Sequence, residues 1–265
     1  MIRRVTLALA AVALAVTWAF PRTARAIETI PFTNDDGLIH VQGSVDGQQP
    51  VSMLVDLGAG LNVFSENLAH LVAFDSKYVS LGLTGERLDL PMGKVVTLTL
   101  GGVPIADRAV GVWRGLAATR GVDGLISAVS FRDVATTFDF SQHQIVIEDA
   151  VSFPERRRQS TRVPLVLRDD LDIALGVFAR FDIGNGRTAL CAISTGTRGL
   201  VFDKVFEPQG VPSLTLIGAD QTTIAHPNVK YDNLIYDCTI GTDFWRGHNF
   251  TLDILNRAMW VAVQP

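Results

Sequence analysis

Apolar residues recur at every second position over short runs, and glycine, proline and aspartate separate the runs. This is the periodicity of β-strands joined by tight turns. Leu38-Ile39-His40-Val41-Gln42-Gly43-Ser44-Val45 predicts one strand, Asp46-Gly47 the hairpin turn after it, and Met53-Leu54-Val55 the end of the next strand, which stops at Asp56. Residues 66–72 predict a short helix with Leu68 and Leu71 facing inward. Residues 81–100 read as a hairpin, with turn signals at Thr84-Gly85-Glu86 and Pro91-Met92-Gly93, closed by Gly101-Gly102. Residues 103–112 predict another strand. Val122-Asp123-Gly124-Leu125-Ile126-Ser127 reads as strand and turn, residues 129–134 as a short helix, and Phe138-Asp139-Phe140 with Ile145-Val146-Ile147 as a last hairpin.

Residues 153–162 are polar and basic with a proline, and are taken as a linker between residues 27–152 and residues 163–265. The second part repeats the first. Residues 173–181 predict a strand, Gly184-Asn185-Gly186 a turn, and Leu190-Cys191-Ala192-Ile193 a strand that runs into Ser194. At an offset of 114, Asp123 aligns with Asp237, Ser127 with Gly241, Phe131 with Trp245, and Phe138-Asp139-Phe140 with Leu252-Asp253-Ile254. The turns at Asp56 and Ser194 are 138 apart, so the middle of the second part is shorter by 138 − 114 = 24 residues. Only the first part has room for a full hairpin above its turn. An internal duplication of this kind fixes architecture more firmly than propensity does: an all-β chain of two related lobes.

The chain of 265 residues is 48% hydrophobic and 19% charged, a globular composition. Residues 1–26 read as a secretory signal peptide: Arg3 and Arg4, an apolar run over 5–20, then Ala24-Arg25-Ala26. The expected location is therefore exported, periplasmic or secreted, with no membrane association after cleavage. Residues 1–26 carry four arginines and no acids, so the net charge of −4 becomes −4 − 4 = −8 without them. An acidic chain lacks the electrostatic footprint for nucleic acid. Arg156-Arg157-Arg158 is read as solvated linker charge. Cys191 and Cys238 either form one disulfide or stay as two buried thiols, and spacing does not decide between them. The histidines show no metal-ligand spacing, so no metal and no cofactor are expected. Trp113, Trp245 and Trp260 are read as core.

The candidate chemistry lies in the two copies of one turn. Leu54-Val55-Asp56-Leu57-Gly58-Ala59-Gly60 carries a buried strand into an acid, and an acid there needs specific partners to offset several kcal/mol of desolvation. Leu190-Cys191-Ala192-Ile193-Ser194-Thr195-Gly196-Thr197 has the same grammar with serine in place of the acid. On these residues the chain resembles the aspartic proteases of the retropepsin and pepsin group, most closely the bacterial exported members with two fused lobes. Leu54-Val55-Asp56-Leu57-Gly58-Ala59 meets the family motif except at Leu57. Thr239-Ile240-Gly241 meets the later apolar-apolar-Gly element, and Leu125-Ile126-Ser127 meets it imperfectly.

The resemblance implies two β lobes facing across a cleft, the turns at its floor, and a flap hairpin with Thr84, Gly85 and Glu86 above them. The ligand or substrate would be an extended peptide or protein segment held by strand-like hydrogen bonds. The family mechanism shares one proton between two carboxylates, one acting on a water and the other on the peptide carbonyl. Here the pair is Asp56 and Ser194. A hydroxyl cannot be the acid of such a pair, and loss of one acid–base partner costs ~10²–10⁴ in rate. Leu57 also removes a hydroxyl that in the family bonds across to the opposite lobe, while Thr195 keeps its own. Four readings are open at this level: a peptidase of weak or lost activity; a pseudo-protease that binds peptides or a protein; a homodimer that brings two Asp56 residues together; and a serine hydrolase built on Ser194, which lacks a nucleophile elbow.

Overall fold

The structure is a computed structural model that describes residues 27–48, 50–105 and 109–262. The expected signal peptide, 1–26, lies outside the described residues. Three sheets make up the fold, and the arrangement is two β lobes joined by a shared sheet.

The first lobe is a nine-stranded sheet. Its order is Ala73–Leu81, Arg87–Lys94, Val110–Trp113, Asn62–Ser65, Gly124–Ile126, Val51–Val55, His40–Val45, Leu98–Leu100, Val103–Pro104. The alternation through His40–Val45 turns the Val41 and Val45 side chains to the core, and Asp46 and Gly47 take positive φ (50° and 69°) in the turn that follows. In the second lobe the path is Ile224–Ala225, Ser213–Leu216, Ala174–Asp182, Thr188–Ile193, Cys238–Ile240, Leu200–Asp203, Val229–Asp232, with Val166–Asp170 paired to Ala174–Asp182.

The third sheet joins the lobes, in the order Glu28–Pro31, Gln144–Ile147, Thr136–Asp139, Phe250–Asp253, Ala258–Ala262, Ser160–Pro164. Its two central strands are antiparallel copies of each other, and the hydroxyls of Thr137 and Thr251, 114 residues apart, meet at 2.6 Å. The pseudo-twofold axis of the duplication passes between them. Phe138 stacks on Phe250 with centroids 5.1 Å apart, and Phe131 and Trp245 each meet one of that pair edge-on. Aromatic pairs add to the apolar area they bury, so the lobes share one core.

The repeat extends to main-chain bonding. Ser52 N–H donates to the Asp123 carboxylate and Leu190 N–H to that of Asp237; Ser65 N–H donates to the Asp123 carbonyl and Asp203 N–H to that of Asp237. Each pair of equivalent bonds is related by the offsets of 138 and 114 found in the sequence.

Two expectations are corrected. The first-lobe hairpin is Ala73–Leu81 against Arg87–Lys94, not a hairpin over 81–100, and Pro91-Met92-Gly93 lies within a strand. Leu88, Leu90 and Met92 keep the period of two through the proline, which sits at an exposed strand position. Gly93 is needed because a Cβ there would stand 2.2 Å from the Ala73 carbonyl, beside a bulge at Phe74–Ser76. Leu98–Leu100 belongs instead beside His40–Val45. Residues 153–162, read as a linker with solvated basic charge, join the two parts as secondary structure, and their first arginine is only partly exposed. Ser152–Arg158 is a helix and Ser160–Pro164 the edge strand of the shared sheet. Arg156 bonds to the buried Glu148 at 3.0 Å, and Arg157 lies over the rings of Trp260 (4.5 Å) and Phe153 (5.7 Å).

Candidate functional site

Each turn leaves a strand held in a parallel pair. Val51–Val55 pairs with Gly124–Ile126 and Thr188–Ile193 with Cys238–Ile240. The first residue beyond each strand is fixed by its own amide: Asp56 N–H donates to the Ile126 carbonyl at 2.8 Å and Ser194 N–H to Ile240 at 3.0 Å. Two equivalent strand ends thus aim residues 56 and 194 at each other from opposite lobes. The Ser194 hydroxyl donates to Asp56 Oδ1 at 3.2 Å.

The same carboxylate oxygen accepts from Gly58 N–H at 2.8 Å and from Gly196 N–H at 3.0 Å. Asp56 is buried, and these donors replace the water it gives up. Thr197 extends the chain, its hydroxyl donating to Ser194 Oγ at 3.1 Å. Glycine is required at 196 because a Cβ there would lie 2.1 Å from the Asp56 carboxyl carbon. Gly58 plays the matching part for Ser194, with a Cβ position 2.9 Å from its side chain. Ala59 completes the first loop, and its N–H donates to the Asp56 carbonyl at 3.1 Å.

Below the floor the lobes are clasped on one side. Thr195 Oγ1 accepts from Leu57 N–H at 3.0 Å and donates to the Val55 carbonyl at 2.7 Å. Leu57 is fully buried in the shared core and returns no side-chain bond. A single side chain makes the cross-lobe contact, because Thr195 uses both its donor and its acceptor.

Above the floor stands the hairpin. Thr84, Gly85 and Glu86 form its tip. Gly85 takes φ +88°, and the Glu86 carboxylate accepts from the Thr84 hydroxyl (2.6 Å) and amide (3.2 Å). The Thr84 hydroxyl bond holds the Glu86 carboxyl below the usual range for glutamate. The hairpin touches the second lobe twice: Ile235 N–H donates to the Leu83 carbonyl at 3.1 Å, and the Tyr78 hydroxyl donates to Asp170 Oδ2 at 2.6 Å. Burial, then the bond to Asp170, pushes the Tyr78 hydroxyl up to about 12.

Two chambers open beside the hairpin. One, of about 250 Å³, reaches Asp56 and Ser194 at its base and is walled by Leu81, Leu90, Leu125 and Trp113. The other, of about 270 Å³, faces the second lobe at Tyr78, Arg168, Asp170 and Tyr236. Trp113 packs against a core cluster and also borders the first of these cavities; Trp245 is fully buried. Sequence reasoning missed Arg120, which donates to the Gly196 carbonyl at 3.0 Å from the short helix Leu116–Arg120, and it missed Tyr78, Arg168 and Asp170. No motif marks these residues; the 24-residue excess in the first half and the turn signal at Thr84-Gly85-Glu86 point to a hairpin there without singling them out. Asn62 was also missed. Its buried side-chain oxygen accepts from the Ser127 amide and from the Ser127 and Ser130 hydroxyls, bracing the strand end behind Asp56.

Cys191 and Cys238 are register partners on adjacent parallel strands and form a disulfide. Among the described residues no group of three or more His, Cys, Asp or Glu side chains is arranged to hold a metal ion, and no helix is long and apolar enough to cross a membrane.

No family model matches the sequence, and no curated protein matches it. Solved structures do. An aspartic proteinase from Irpex lacteus superposes with a TM-score of 0.58 at 13% identity, covering 90% of this chain and 98% of that one. Basic 7S globulin from soybean superposes with a TM-score of 0.56 at 13% identity, covering 89% of this chain and 94% of that one. Likeness at this identity concerns the fold, which is the two-lobed aspartic-proteinase fold.

Proposed function

We propose that this chain binds an extended peptide or protein segment in the cleft between its lobes, and that it hydrolyses that segment weakly or not at all. The observation that carries this reading is the pairing of Asp56 with Ser194 across the floor, at 3.2 Å. A shared-proton mechanism needs the general base and the general acid to be two carboxyl groups within reach of one water. Ser194 supplies a hydroxyl, which can hold a water or a ligand carbonyl but has no acidic proton to give near neutral pH. The chain's own second lobe occupies the place opposite Asp56, which argues against completion of the site by a second copy. Asp56 lies within reach of Ser194 Oγ, but no histidine joins them, so nothing supports Ser194 as a nucleophile.

The likeness to an aspartic proteinase and to a soybean globulin of the same fold supports a cleft of this shape and is silent on turnover. Export to the periplasm or exterior is part of the same proposal and rests on residues 1–26. The test incubates the purified protein with a mixed peptide library from pH 3 to 7, with and without a statine-type inhibitor, beside Asp56→Asn. Saturable peptide binding without cleavage is expected. Inhibitor-sensitive cleavage that disappears in Asp56→Asn would make the chain a working peptidase instead.

A further inference from the structure

The two chambers are bordered by three carboxylates, Asp56, Glu86 and Asp170, and by two guanidinium groups, Arg120 and Arg168. Four of these five charges already have partners. Asp56 accepts from Gly58, Gly196 and Ser194; Glu86 from Thr84; Asp170 from Tyr78; and Arg120 donates to the Gly196 carbonyl. The Arg168 side chain has neither a hydrogen bond nor an ion pair among the described residues. It acts on the Tyr78 hydroxyl only through space.

Local structure keeps Arg168 available. It lies on the strand Val166–Asp170, where alternation puts it on the same face as Asp170, and its register partner on Ala174–Asp182 is Gly176. No side chain stands opposite it. A Cβ at position 176 would come within 3.5 Å of Arg168 Cβ and 2.8 Å of the Phe178 ring, so the glycine keeps the floor beside the arginine open. Phe178 and Tyr236, edge to face at 4.9 Å, form an apolar and aromatic wall of the same chamber. The neighbouring acid, Asp170, is engaged by the Tyr78 hydroxyl, and no ion pair forms between it and Arg168.

We infer that Arg168 is a specificity-determining residue that binds a carboxylate of the bound peptide in the chamber facing the second lobe. The inference rests on the peptide-binding reading of the cleft. A planar guanidinium with a free fork of donors matches a carboxylate in two parallel hydrogen bonds, which a neutral amide cannot reproduce. The overall negative charge of the chain does not supply this preference; it is local and opposes the long-range field. The carboxylate can come from an acidic side chain within the segment or from a chain terminus.

The experiment measures affinities of labelled peptides for the purified full chain by fluorescence anisotropy. One series is C-terminally amidated and scans a single Glu, Gln or Lys along an otherwise neutral apolar sequence. A second series has a neutral sequence with a free or amidated terminus. For an exposed arginine at a chamber mouth the expected preference is about 1.5- to fivefold for the carboxylate over its amide, shrinking as salt is raised. Preference in the first series identifies a side chain, and preference in the second identifies a terminus. Arg168→Gln removes the preference and Arg168→Glu turns it toward Lys. Equal binding of acidic and neutral peptides, or a preference that survives Arg168→Gln, overturns the assignment of Arg168 and leaves the cleft reading standing. Failure of every peptide to bind overturns both.

Discussion

The two copies of the floor loop leave equivalent strand ends and differ in what they present. Asp56, Leu57 and Gly58 stand where the second lobe has Ser194, Thr195 and Gly196. Both loops are fixed by amides donating to Ile126 and Ile240, and both lobes brace the preceding strand with a distant carboxylate, Asp123 in one and Asp237 in the other. None of these bonds uses the side chain at 56 or 194. The strand ends are thus fixed by main-chain and distant groups whichever residue stands at 56 or 194, while the Asp56 carboxylate adds bonds to the loop amides of Gly58 and Gly196. The clasp under the floor shows the same tolerance, since Thr195 makes both of its cross-lobe bonds to main-chain atoms.

The sharpest way to break the asymmetry is to write the first loop into the second. Gly58 leaves beside residue 194 the kind of space that Gly196 leaves beside Asp56. Ser194→Asp with Leu57→Thr should therefore fit, and would restore both an acid pair and a reciprocal clasp. Acid-dependent cleavage of apolar peptides should rise at least ~10²-fold over the parent, the lower bound for regaining an acid–base partner. Adding Asp56→Asn should abolish the gain. If the double variant folds and stays inert, residues outside the floor also block turnover, with the latched hairpin the first suspect.

The lobes also differ behind their loops. Cys191 and Cys238 are bonded at the register position where the first lobe places Met53 over Gly124. A Cβ on Gly124 would come 2.5 Å from the methionine sulfur, so one lobe fills by packing the space that the other closes covalently. The bridge spans 47 residues, for which the chain-entropy model gives about 4 kcal/mol. Replacing both cysteines by alanine should lower unfolding free energy by about 2–5 kcal/mol in denaturant titrations. Gly124→Ala should cost about 1–3 kcal/mol through overpacking. A cysteine-free variant as stable as the parent would mean that strand pairing alone holds the second loop.

Much of this was legible from residue order. The duplication, its two offsets and the opposition of Asp56 to Ser194 all followed from matching patterns, because each half repeats the same strand-turn grammar. The hairpin was misplaced because Ala73–Leu81 is an edge strand with most side chains exposed, so it carries little apolar periodicity, while Pro91 and Gly93 imitate a turn. The joining segment was misread because its basic residues work through packing and a buried acid, Glu148, contributed by a strand partner of the other central strand. Arg120, Tyr78 and Arg168 had no local signature. Their roles arise where the lobes meet, and single-sequence periodicity does not report contacts between distant elements.

The smallest expected effect concerns the hairpin of the first lobe, which reaches across to the second. Its hold on that lobe runs partly through the Tyr78 hydroxyl, which is pushed up to about 12 by burial first and by its bond to Asp170 second. The folded state thus favours the neutral phenol. Its contribution is complete below the ordinary tyrosine value of about 10 and is lost as pH rises through about 12. The chain has three tyrosines, Tyr78, Tyr231 and Tyr236, so an ultraviolet titration by rapid pH jump can resolve a late step. Tyr78→Phe should remove that step. Asp170→Asn should move it only partway down, because the larger cause, burial, remains. A titration that is unchanged by Tyr78→Phe would mean that the hydroxyl is solvated and that the hairpin is held by the Leu83–Ile235 main-chain bond alone.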